Sequence, residues 1–380
     1  MIRILSVIGT RPEAIKMAPV IRALAARPDA VESIVCSTGQ HREMLRQVLE
    51  PFGIMPDHDL DLMTPSQTPT QMAARLLARI GPLLDDLRPD WVLVQGDTTT
   101  VMATAIAAHH ARVRIGHVEA GLRTGDRWNP FPEEMNRVLT DHLSDLCFAP
   151  TVGARDALLR EGIAAERILV TGNTVVDALQ WIADLPWQPD ADLAPLLSDS
   201  ADLVLVTAHR RESFGAPLAR ICAAIRELAL AARGRWRLIY PVHPNPQVQG
   251  PVYEALQGIP GVSLLPPLDY LSLINLLGRA RLVLTDSGGI QEEAPTFGAP
   301  VLVLRDATER PEGVAAGVAR LVGTDTQRIV AEALRLLTDD AAHTAMARAA
   351  NPYGDGRASE RIVEAVVGGG RASQGEPDWS

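Results

Sequence analysis

Short runs rich in β-branched and other apolar residues alternate with helix-like segments along the first part of the chain. Six such runs lie at 2–8, 31–37, 91–95, 114–118, 145–149 and 167–171. Parallel strands need long crossover connections, so strands that alternate with helices predict a parallel sheet covered on both faces by helices. This alternation limits the first part of the chain to an α/β fold.

The same pattern begins again after 185–201, a variable stretch that contains several Pro and Asp residues. Five further strand-like runs follow, at 202–207, 236–241, 262–265, 281–285 and 300–304. A chain of 380 residues is also long enough for about two domains. We therefore predict an α/β protein with two Rossmann-like domains, each built on a doubly wound parallel sheet.

The two halves share a local pattern. The segments VIGTRPEA (7–14) and VTAHRRES (206–213) both read as a strand, a short turn with a basic residue, an acidic residue and the start of a helix. Ligands of open α/β sheets bind beyond the carboxyl ends of the strands, so we expect two domains that face a central cleft. The predicted parts are an N-terminal domain at 1–172, a C-terminal domain at 173–355, a helix at 356–367 that returns to the N-terminal domain, and a disordered tail at 368–380.

Charge and cysteine content disfavour several classes of protein. The formal net charge of −10 argues against a nucleic-acid-binding surface, although a local basic pocket for a small anion stays open. The N-terminal apolar run is too short for a signal peptide, and no stretch approaches the roughly 18 apolar residues of a membrane span. Cys36, Cys147 and Cys222 are too few and too far apart to predict a disulfide framework. We expect a cytoplasmic protein without nucleic-acid or membrane partners.

The segment DSGGIQEEAP, residues 286–295, follows a strand-like run and places small residues at the start of a predicted helix. Backbone N–H groups at a helix N-terminus are unpaired, and small residues let an anion approach them. Ser287, Gly288 and Gly289 therefore predict a diphosphate site. Glu293, about one helical turn later, is placed to accept hydrogen bonds from ribose hydroxyls. A Ser-capped turn before an acidic helix is the alternative interpretation.

Two common nucleotide-binding motifs do not occur in the sequence. No G-x-G-x-x-G follows a strand, which disfavours a nicotinamide-dependent enzyme, and no G-x-x-x-x-G-K-[ST] loop is present, which disfavours a nucleoside-triphosphate motor or kinase. His109 and His110 lack a convincing third ligand. We therefore expect neither a cofactor nor a metal.

Charged residues follow several predicted strands. They are Arg11 and Lys16 after the first strand, Asp97 and Glu119 after two later strands, and Glu133 at the start of a helix. Loops at the carboxyl ends of parallel strands share one edge of a sheet, so these carboxylates are expected to converge in an arrangement that suits proton transfer. Alternatively, Glu133 and Glu134 are favourable first-turn acids, and Asp97 is a helix N-cap.

Two histidines lie in predicted strand-end loops. His209 stands beside Arg210 and Arg211, a setting that favours a phosphate contact or a proton carrier. His243 lies in the proline-bounded segment PVHPNP, where ligand contact and turn structure are equally plausible readings. The sequence thus places candidate ligand contacts in both halves of the chain.

Eleven segments, taken in order, are similar to one family. They are GTRPEAIKMAPV, TGQHREML, QGDTTT, GHVEAGLRTGD, PFPEEMNR, TGNTVVDAL, TAHRRESFG, PVHPNP, TDSGGIQEEAP, RDATERPEG and NPYGDG. Together, from residue 1 to about 367, they resemble the non-hydrolysing UDP-N-acetylglucosamine 2-epimerases of bacteria. The resemblance implies the two-Rossmann-domain architecture called GT-B, with the UDP site in the C-terminal domain and no nicotinamide cofactor. It also implies an isomerase that interconverts UDP-N-acetylglucosamine and UDP-N-acetylmannosamine for cell-surface polysaccharide synthesis.

The resemblance implies roles residue by residue. The positions that match the family's acid/base carboxylates and essential histidine are Asp97, Glu119, Glu133 and His209. The positions that match substrate contacts are Arg11, Lys16, Asp97, Glu119, His209, Ser287, Gly288, Gly289, Glu293 and Arg310. A second UDP-N-acetylglucosamine, acting as an allosteric activator, is expected to contact Gln40, His41, Arg211 and His243. The resemblance further implies a homodimer.

The implied chemistry is elimination of UDP with loss of the C2 proton, formation of 2-acetamidoglucal, and re-addition of UDP with a proton on the opposite face. Asp97 and Glu133 are the expected proton carriers, with Glu119 aligning or tuning them, and the sequence does not assign their order. Leu268 and Leu273 stand where some relatives carry a polar and an aromatic uracil contact, so base selectivity stays open.

Three other functions remain open at the level of sequence. A hydrolysing 2-epimerase would release free N-acetylmannosamine and UDP. A GT-B glycosyltransferase would use the same diphosphate site with an acceptor sugar. A sugar-nucleotide sensor would bind the ligand without chemistry.

Overall fold

The computed structural model describes residues 1–39, 45, 48–64, 67–198 and 200–369. These residues form two compact units. The first unit comprises Met1–Trp181 together with the described residues from Tyr353 onward, and the second unit comprises Ile182–Pro352. Each unit combines one parallel sheet with helices.

The described strands of the first unit are β1 (Ile2–Ile8), β2 (Val31–Ser37), β3 (His58–Asp59), β4 (Trp91–Gln95), β5 (Arg114–Val118), β6 (Leu146–Ala149) and β7 (Ile168–Val170). They pair in the order β3-β2-β1-β4-β5-β6-β7, and every neighbouring pair is parallel. β4 lies at the centre of the sheet and is buried along its whole length. Continuous apolar sequences of this kind are expected where helices cover both faces of a sheet.

The described strands of the second unit are β8 (Asp202–Thr207), β9 (Trp236–Pro241), β10 (Val262–Leu265), β11 (Ala280–Thr285), β12 (Val301–Val303) and β13 (Ala319–Leu321). They pair in the order β10-β9-β8-β11-β12-β13, again with every pair parallel. The core on one side of this sheet is formed by side chains such as Val204, Ile225 and Leu282. The predicted fold class, with two parallel-sheet α/β domains, is therefore confirmed.

Helices connect the strands in both units. Those with described bounds are α1 (Arg11–Ala25), α2 (Pro69–Leu87), α3 (Thr99–His110), α4 (Glu133–Leu143), α5 (Val152–Arg160), α6 (Thr174–Ala183), α7 (Ala216–Ala232), α8 (Pro246–Leu256), α9 (Tyr270–Leu277), α10 (Gly288–Glu293), α11 (Pro311–Ala315), α12 (Thr326–Thr338), α13 (Asp340–Ala347) and α14 (Ala358–Val367). None of them is both long and apolar enough to cross a lipid bilayer.

Strand order places the candidate functional residues. The first sheet changes direction between β1 and β4, and the second sheet changes direction between β8 and β11. At such a switch point the loops after the two central strands diverge to opposite faces and leave a crevice for a ligand. The loops after these four strands carry Arg11, Asp97, His209 and Ser287. The connectivity alone therefore marks one candidate ligand-binding edge in each unit.

Several boundaries differ from the prediction. β3 and β13 were not predicted, because two-residue and three-residue strands carry too short an apolar pattern to detect. The first unit extends past the predicted limit at 172 into α6, where Asp177 accepts hydrogen bonds from Ser359 at the start of α14. α14 lies in the first unit, against α1.

Candidate functional site

Asp97 follows β4 and is tied to α4 by two contacts. The side-chain amide of Asn136 donates to the backbone carbonyl of Asp97 at 2.9 Å, and a guanidinium nitrogen of Arg137 lies 2.8 Å from the Asp97 carboxylate. The Asp97 side chain remains 33% exposed. Thr98, rather than Asp97, caps α3, because its hydroxyl accepts a hydrogen bond from the N–H of Val101. The N-cap interpretation of Asp97 is therefore wrong.

The adjacent acids of α4 have different environments. The Glu134 carboxylate is buried and accepts hydrogen bonds from the backbone N–H groups of Thr124 and Gly125, at 3.0–3.1 Å. Glu134 therefore holds the loop that precedes the helix. Glu133 is half-buried and its side chain lines a cavity. Of these two residues, the structure leaves Glu133 placed to meet a ligand.

That cavity has a volume of about 410 Å³ and lies within the first unit. Its lining includes Thr10, Thr68 and Thr98, which are the N-caps of α1, α2 and α3, and Glu133, the first residue of α4. Four helix N-termini therefore meet at one cavity. Because the N-terminal ends of helices carry partial positive charge and unpaired N–H groups, this cavity favours an electron-rich ligand.

Glu119 is held by a lysine. The ammonium group of Lys16, on α1, lies 2.5 Å from the Glu119 carboxylate, and both side chains are largely buried. Glu119 adopts a left-handed backbone conformation, with φ of 66°, which is uncommon for a residue other than glycine. Arg11 is exposed at the first position of α1. Strained backbone of this kind persists where surrounding contacts fix it, as the ion pair with Lys16 does here.

In the second unit, one buried carboxylate shapes the loop after β8. Asp286 accepts hydrogen bonds from the backbone N–H groups of His209, at 2.9 and 3.0 Å, and Arg210, at 2.8 Å. It also accepts from the hydroxyl of Ser213 at 3.1 Å. Asp286 is fully buried, directly after β11. Asp286 therefore orients the loop that carries His209, while Ser287 is the N-cap of α10 and Gly288 and Gly289 are its first two residues, where a turn was predicted.

Two arginines flank Gly288, the first residue of α10. A Cβ atom placed on Gly288 would lie 3.4 Å from a terminal nitrogen of Arg210 and 3.8 Å from the guanidinium carbon of Arg310. Arg310 is in turn paired with the buried carboxylate of Glu292. Because α10 spans only six residues, these cations contribute more to anion attraction than the dipole of so short a helix. The start of α10 at Gly288 thus lies beside two guanidinium groups.

His209 is stacked on His243, with ring centroids 5.2 Å apart and an angle of 24° between the planes. Burial lowers the pKa of His209, and the nearby His243 and Arg210 act in the same direction, against the opposing effect of Asp286. His209 is therefore uncharged near neutral pH. The Nδ1 atom of His243 accepts a hydrogen bond from the N–H of Asn245 at 3.1 Å, which fixes the orientation of its ring.

Comparison with known proteins shows the family of this chain. A family model described as UDP-N-acetylglucosamine 2-epimerase matches residues 22–367. Over 370 residues the chain is 53% identical to the UDP-N-acetylglucosamine 2-epimerase of Salmonella typhimurium strain LT2, covering 96% of this chain and 98% of that protein. The chain belongs to the UDP-N-acetylglucosamine 2-epimerase family. Since an epimerase is an isomerase, the predicted enzyme class is confirmed at the level of the family.

Two solved structures of UDP-N-acetylglucosamine 2-epimerases carry ligands. The Neisseria meningitidis enzyme, bound to UDP-N-acetylglucosamine, is 43% identical to this chain with a TM-score of 0.84, covering 96% of this chain and all of that one. The Methanocaldococcus jannaschii enzyme, in complex with UDP-N-acetylglucosamine and UDP, is 34% identical with a TM-score of 0.76, covering 97% and 100%. Both similarities extend over both units.

Within this family member, each unit gathers a separate set of the predicted site residues. The first unit holds Arg11, Lys16, Asp97, Glu119 and Glu133, and the second unit holds His209, Arg211, His243, Ser287, Gly288, Gly289, Glu293 and Arg310. Gln40 and His41 lie outside the described residues. Arg211 is exposed and Glu293 is half-buried, and Leu268 and Leu273 are also half-buried.

The structure adds candidate site residues that the sequence analysis did not identify. Asn136 and Arg137 bind Asp97, and Arg210 flanks Gly288. The sequence could have identified Asn136 and Arg137 by their position one helical turn after Glu133, since residues three and four apart share a helix face. Arg210 could have been identified by the same sequence feature as His209, because both lie in a strand-end loop that contains two arginines.

Proposed function

We propose that the chain catalyses the reversible epimerisation of UDP-N-acetylglucosamine to UDP-N-acetylmannosamine at C2. Family membership and the ligand-bound relatives support this substrate. The observation that carries the proposal is the position of Gly288 beside the guanidinium groups of Arg210 and Arg310, with the adjacent Asp286 binding the backbone N–H of His209. Such a pair of cations suits the diphosphate of a nucleotide sugar, because guanidinium groups form strong charge-assisted hydrogen bonds with phosphate oxygens.

The proposed reaction must remove a weakly acidic proton from carbon. The C2 hydrogen of the sugar has no adjacent carbonyl, so direct ionisation at neutral pH is unfavourable. In the proposed step a carboxylate takes the C2 proton, the electron pair of the C–H bond forms a C1=C2 double bond, and the C1–O bond breaks with its electrons on UDP. The product, 2-acetamidoglucal, then receives UDP at C1 and a proton at C2 on the opposite face.

The second unit would stabilise the leaving group. Negative charge accumulates on the terminal phosphate as the C1–O bond breaks, and Arg210 and Arg310 are already oriented beside Gly288. Preorganised charges of this kind stabilise a transition state because they need no reorganisation as the charge develops. Uncharged His209 retains an N–H group that can donate to a phosphate oxygen.

The first unit would supply the proton carriers. Proton transfer to and from opposite faces of one carbon needs two groups, and we assign these roles to Asp97 and Glu133. Asp97 is oriented by Arg137, whereas Glu133 opens into the cavity at the helix N-termini. Glu119 is already paired with Lys16, so it is better suited to tuning the charge of the site than to exchanging protons.

The function is tested by incubating the protein with UDP-N-acetylglucosamine and following ¹H and ³¹P NMR spectra. We expect UDP-N-acetylmannosamine to form with the diphosphate intact, and the same mixture to form from the opposite direction. Free N-acetylmannosamine with stoichiometric UDP would identify a hydrolysing enzyme instead. Transfer of the sugar to an added acceptor, or an unchanged spectrum, would also contradict the proposal.

Replacing Arg310 with alanine should weaken UDP binding by about 10- to 100-fold, because a charge-assisted hydrogen bond contributes roughly 1.5–3 kcal/mol and each 1.4 kcal/mol changes affinity tenfold. Isothermal titration with UDP measures the effect. Arg210→Ala should act in the same direction without removing the partner of the buried Glu292. Arg320→Ala, which removes an exposed ion pair with Glu332, is the control. Unchanged UDP affinity in both site variants would contradict the diphosphate assignment.

Several finer features belong to the same proposal. The family resemblance supports a second UDP-N-acetylglucosamine as activator, with Arg211 and His243 among its contacts, and it supports a homodimer. Sigmoidal dependence of rate on substrate concentration, and sedimentation at twice the chain mass, are the expected results. A cytoplasmic location is supported by the free thiols of the buried Cys36, Cys147 and Cys222, and we assign the product to cell-surface polysaccharide synthesis.

A further inference from the structure

His117 is completely buried near the end of β5, and both of its ring nitrogens are engaged. Its Nδ1 atom lies 2.6 Å from a carboxylate oxygen of Asp141, on α4. Its Nε2 atom lies 2.7 Å from the backbone carbonyl oxygen of Gly96, at the end of β4. A single imidazole ring therefore connects three elements of the first unit.

Both partners of the ring are acceptors. A backbone carbonyl cannot donate, and the second carboxylate oxygen of Asp141 accepts from a guanidinium nitrogen of Arg123 at 2.8 Å and from the N–H of Gly121 at 3.3 Å. A neutral imidazole has one N–H and would leave one of these short contacts without a hydrogen. The imidazolium, with two N–H groups, satisfies both.

The surrounding charges favour this state. Burial by itself raises the pKa of Asp141, but His117 and Arg123 outweigh that effect and hold the pKa of Asp141 below its ordinary value. Arg123 also forms a two-pronged pair with Glu161, and the thiol of Cys147 contacts the backbone carbonyl of Asp141. Two cations thus face two carboxylates, of which Asp141 is buried and Glu161 is exposed, so the cluster is neutral overall when His117 carries a charge.

The three connected elements also carry the three candidate carboxylates. Gly96, whose carbonyl the ring binds, directly precedes Asp97 and has a φ of 83°. Glu119 follows His117 by two residues on the same strand end. Asp141 lies on the helix that begins at Glu133. The N–H of Gly96 is fixed as well, since it donates to the carbonyl of Val118.

We propose that His117, held as an imidazolium, is a positioning residue that fixes the backbone from which Asp97, Glu119 and Glu133 reach the substrate. The inference rests on the epimerase function proposed above. His117 does not touch the reacting atoms in this account. It sets the distance between two strand ends and one helix start, and a misplacement of about 1 Å in an active site can lower a rate by about 100-fold.

The kinetic test compares His117→Leu and His117→Gln with the parent protein. Leucine removes both donors, and we expect kcat to fall about 100-fold while the KM for UDP-N-acetylglucosamine and the Kd for UDP change less than about threefold. The primary amide of glutamine carries two N–H groups, so His117→Gln should retain kcat within about tenfold of the parent. His110→Gln, at an exposed position of α3, is the control and should leave all three quantities unchanged.

A spectroscopic test stands even if the leucine variant fails to fold or the protein has no epimerase activity. Protein labelled with ¹⁵N-histidine, with His117 assigned by its loss in His117→Gln, should show both ring nitrogens of His117 protonated at neutral pH. One protonated and one unprotonated nitrogen would overturn the imidazolium assignment. Parent-like kcat in His117→Leu, or an equal loss of kcat in His117→Gln and His117→Leu, would overturn the positioning role.

Discussion

Replacing Glu133 with glutamine or Asp97 with asparagine should lower kcat by about 10²- to 10⁴-fold, because each change removes a group that exchanges a proton with C2 in the proposed mechanism. UDP binding should change little, since the predicted diphosphate contacts lie in the second unit. Steady-state rates and titration with UDP measure the two effects on the same preparations.

The structure indicates that both variants will fold. In Asp97→Asn the new side chain would still offer an amide oxygen to Arg137, which now lies 2.8 Å from the carboxylate, and the backbone carbonyl that Asn136 binds is unchanged. Glu133 lines a cavity, so an amide at this position stays hydrated. Glu166→Gln, at an exposed position of the same unit, is the control. Turnover within about threefold of the parent in both site variants would contradict the assignment of Asp97 and Glu133 as proton carriers, which should contribute at least about 10²-fold.

Replacing Asp141 with asparagine should destabilise the first unit by about 3–5 kcal/mol. The carboxylate is fully buried between His117 and Arg123. Its removal would leave His117, proposed above to be an imidazolium, as a buried charge without its partner, while Arg123 would keep its pair with Glu161. Urea unfolding followed by hydrogen exchange in peptides from β5 and α4 measures the loss. Asp156→Asn, which breaks a partly exposed pair with Arg155, should change stability by no more than about 1 kcal/mol.

The stability of the Asp141→Asn variant relative to the parent should also depend on pH. The pKa of Asp141 is lowered from its ordinary value of 3.8, so its contribution to stability is complete above that value and is lost as pH falls through the lower value of the folded protein. The stability difference between parent and Asp141→Asn should therefore persist from about pH 7 to about pH 5 and shrink only in stronger acid. A difference that vanished between these two pH values would show that Asp141 is not held as a buried carboxylate.

Much of the fold followed from the sequence because the strands are apolar and separated by long helices. The predicted limits of β1, β4 and β8 match the structure. Parallel topology then brings the residues after these strands to one edge of each sheet, which is why Arg11, Asp97 and His209 were found as site candidates without a structure. Local sequence pattern and sheet topology thus locate the first residue of each functional loop.

The contacts that hold the candidate site residues in place could not be predicted from the sequence, for a physical reason. Asp286 binds the backbone of a loop 77 residues earlier in the chain, and His117 binds Gly96 and Asp141, which lie 21 and 24 residues away on either side. Such partners depend on the register of strand pairing and on helix packing, which no local pattern encodes. A buried histidine between Gly and Val also reads as an ordinary core residue. Contacts of this type emerge only from three-dimensional placement.

The most direct test of the proposed mechanism is incubation of the protein with UDP-N-acetylglucosamine in deuterium oxide, followed by mass and NMR analysis of the product. Elimination and re-addition require that C2 lose its hydrogen to a carboxylate that exchanges with solvent. We predict UDP-N-acetylmannosamine with one deuterium at C2, and traces of UDP and 2-acetamidoglucal. UDP-N-acetylmannosamine that retains its original C2 hydrogen would contradict the mechanism.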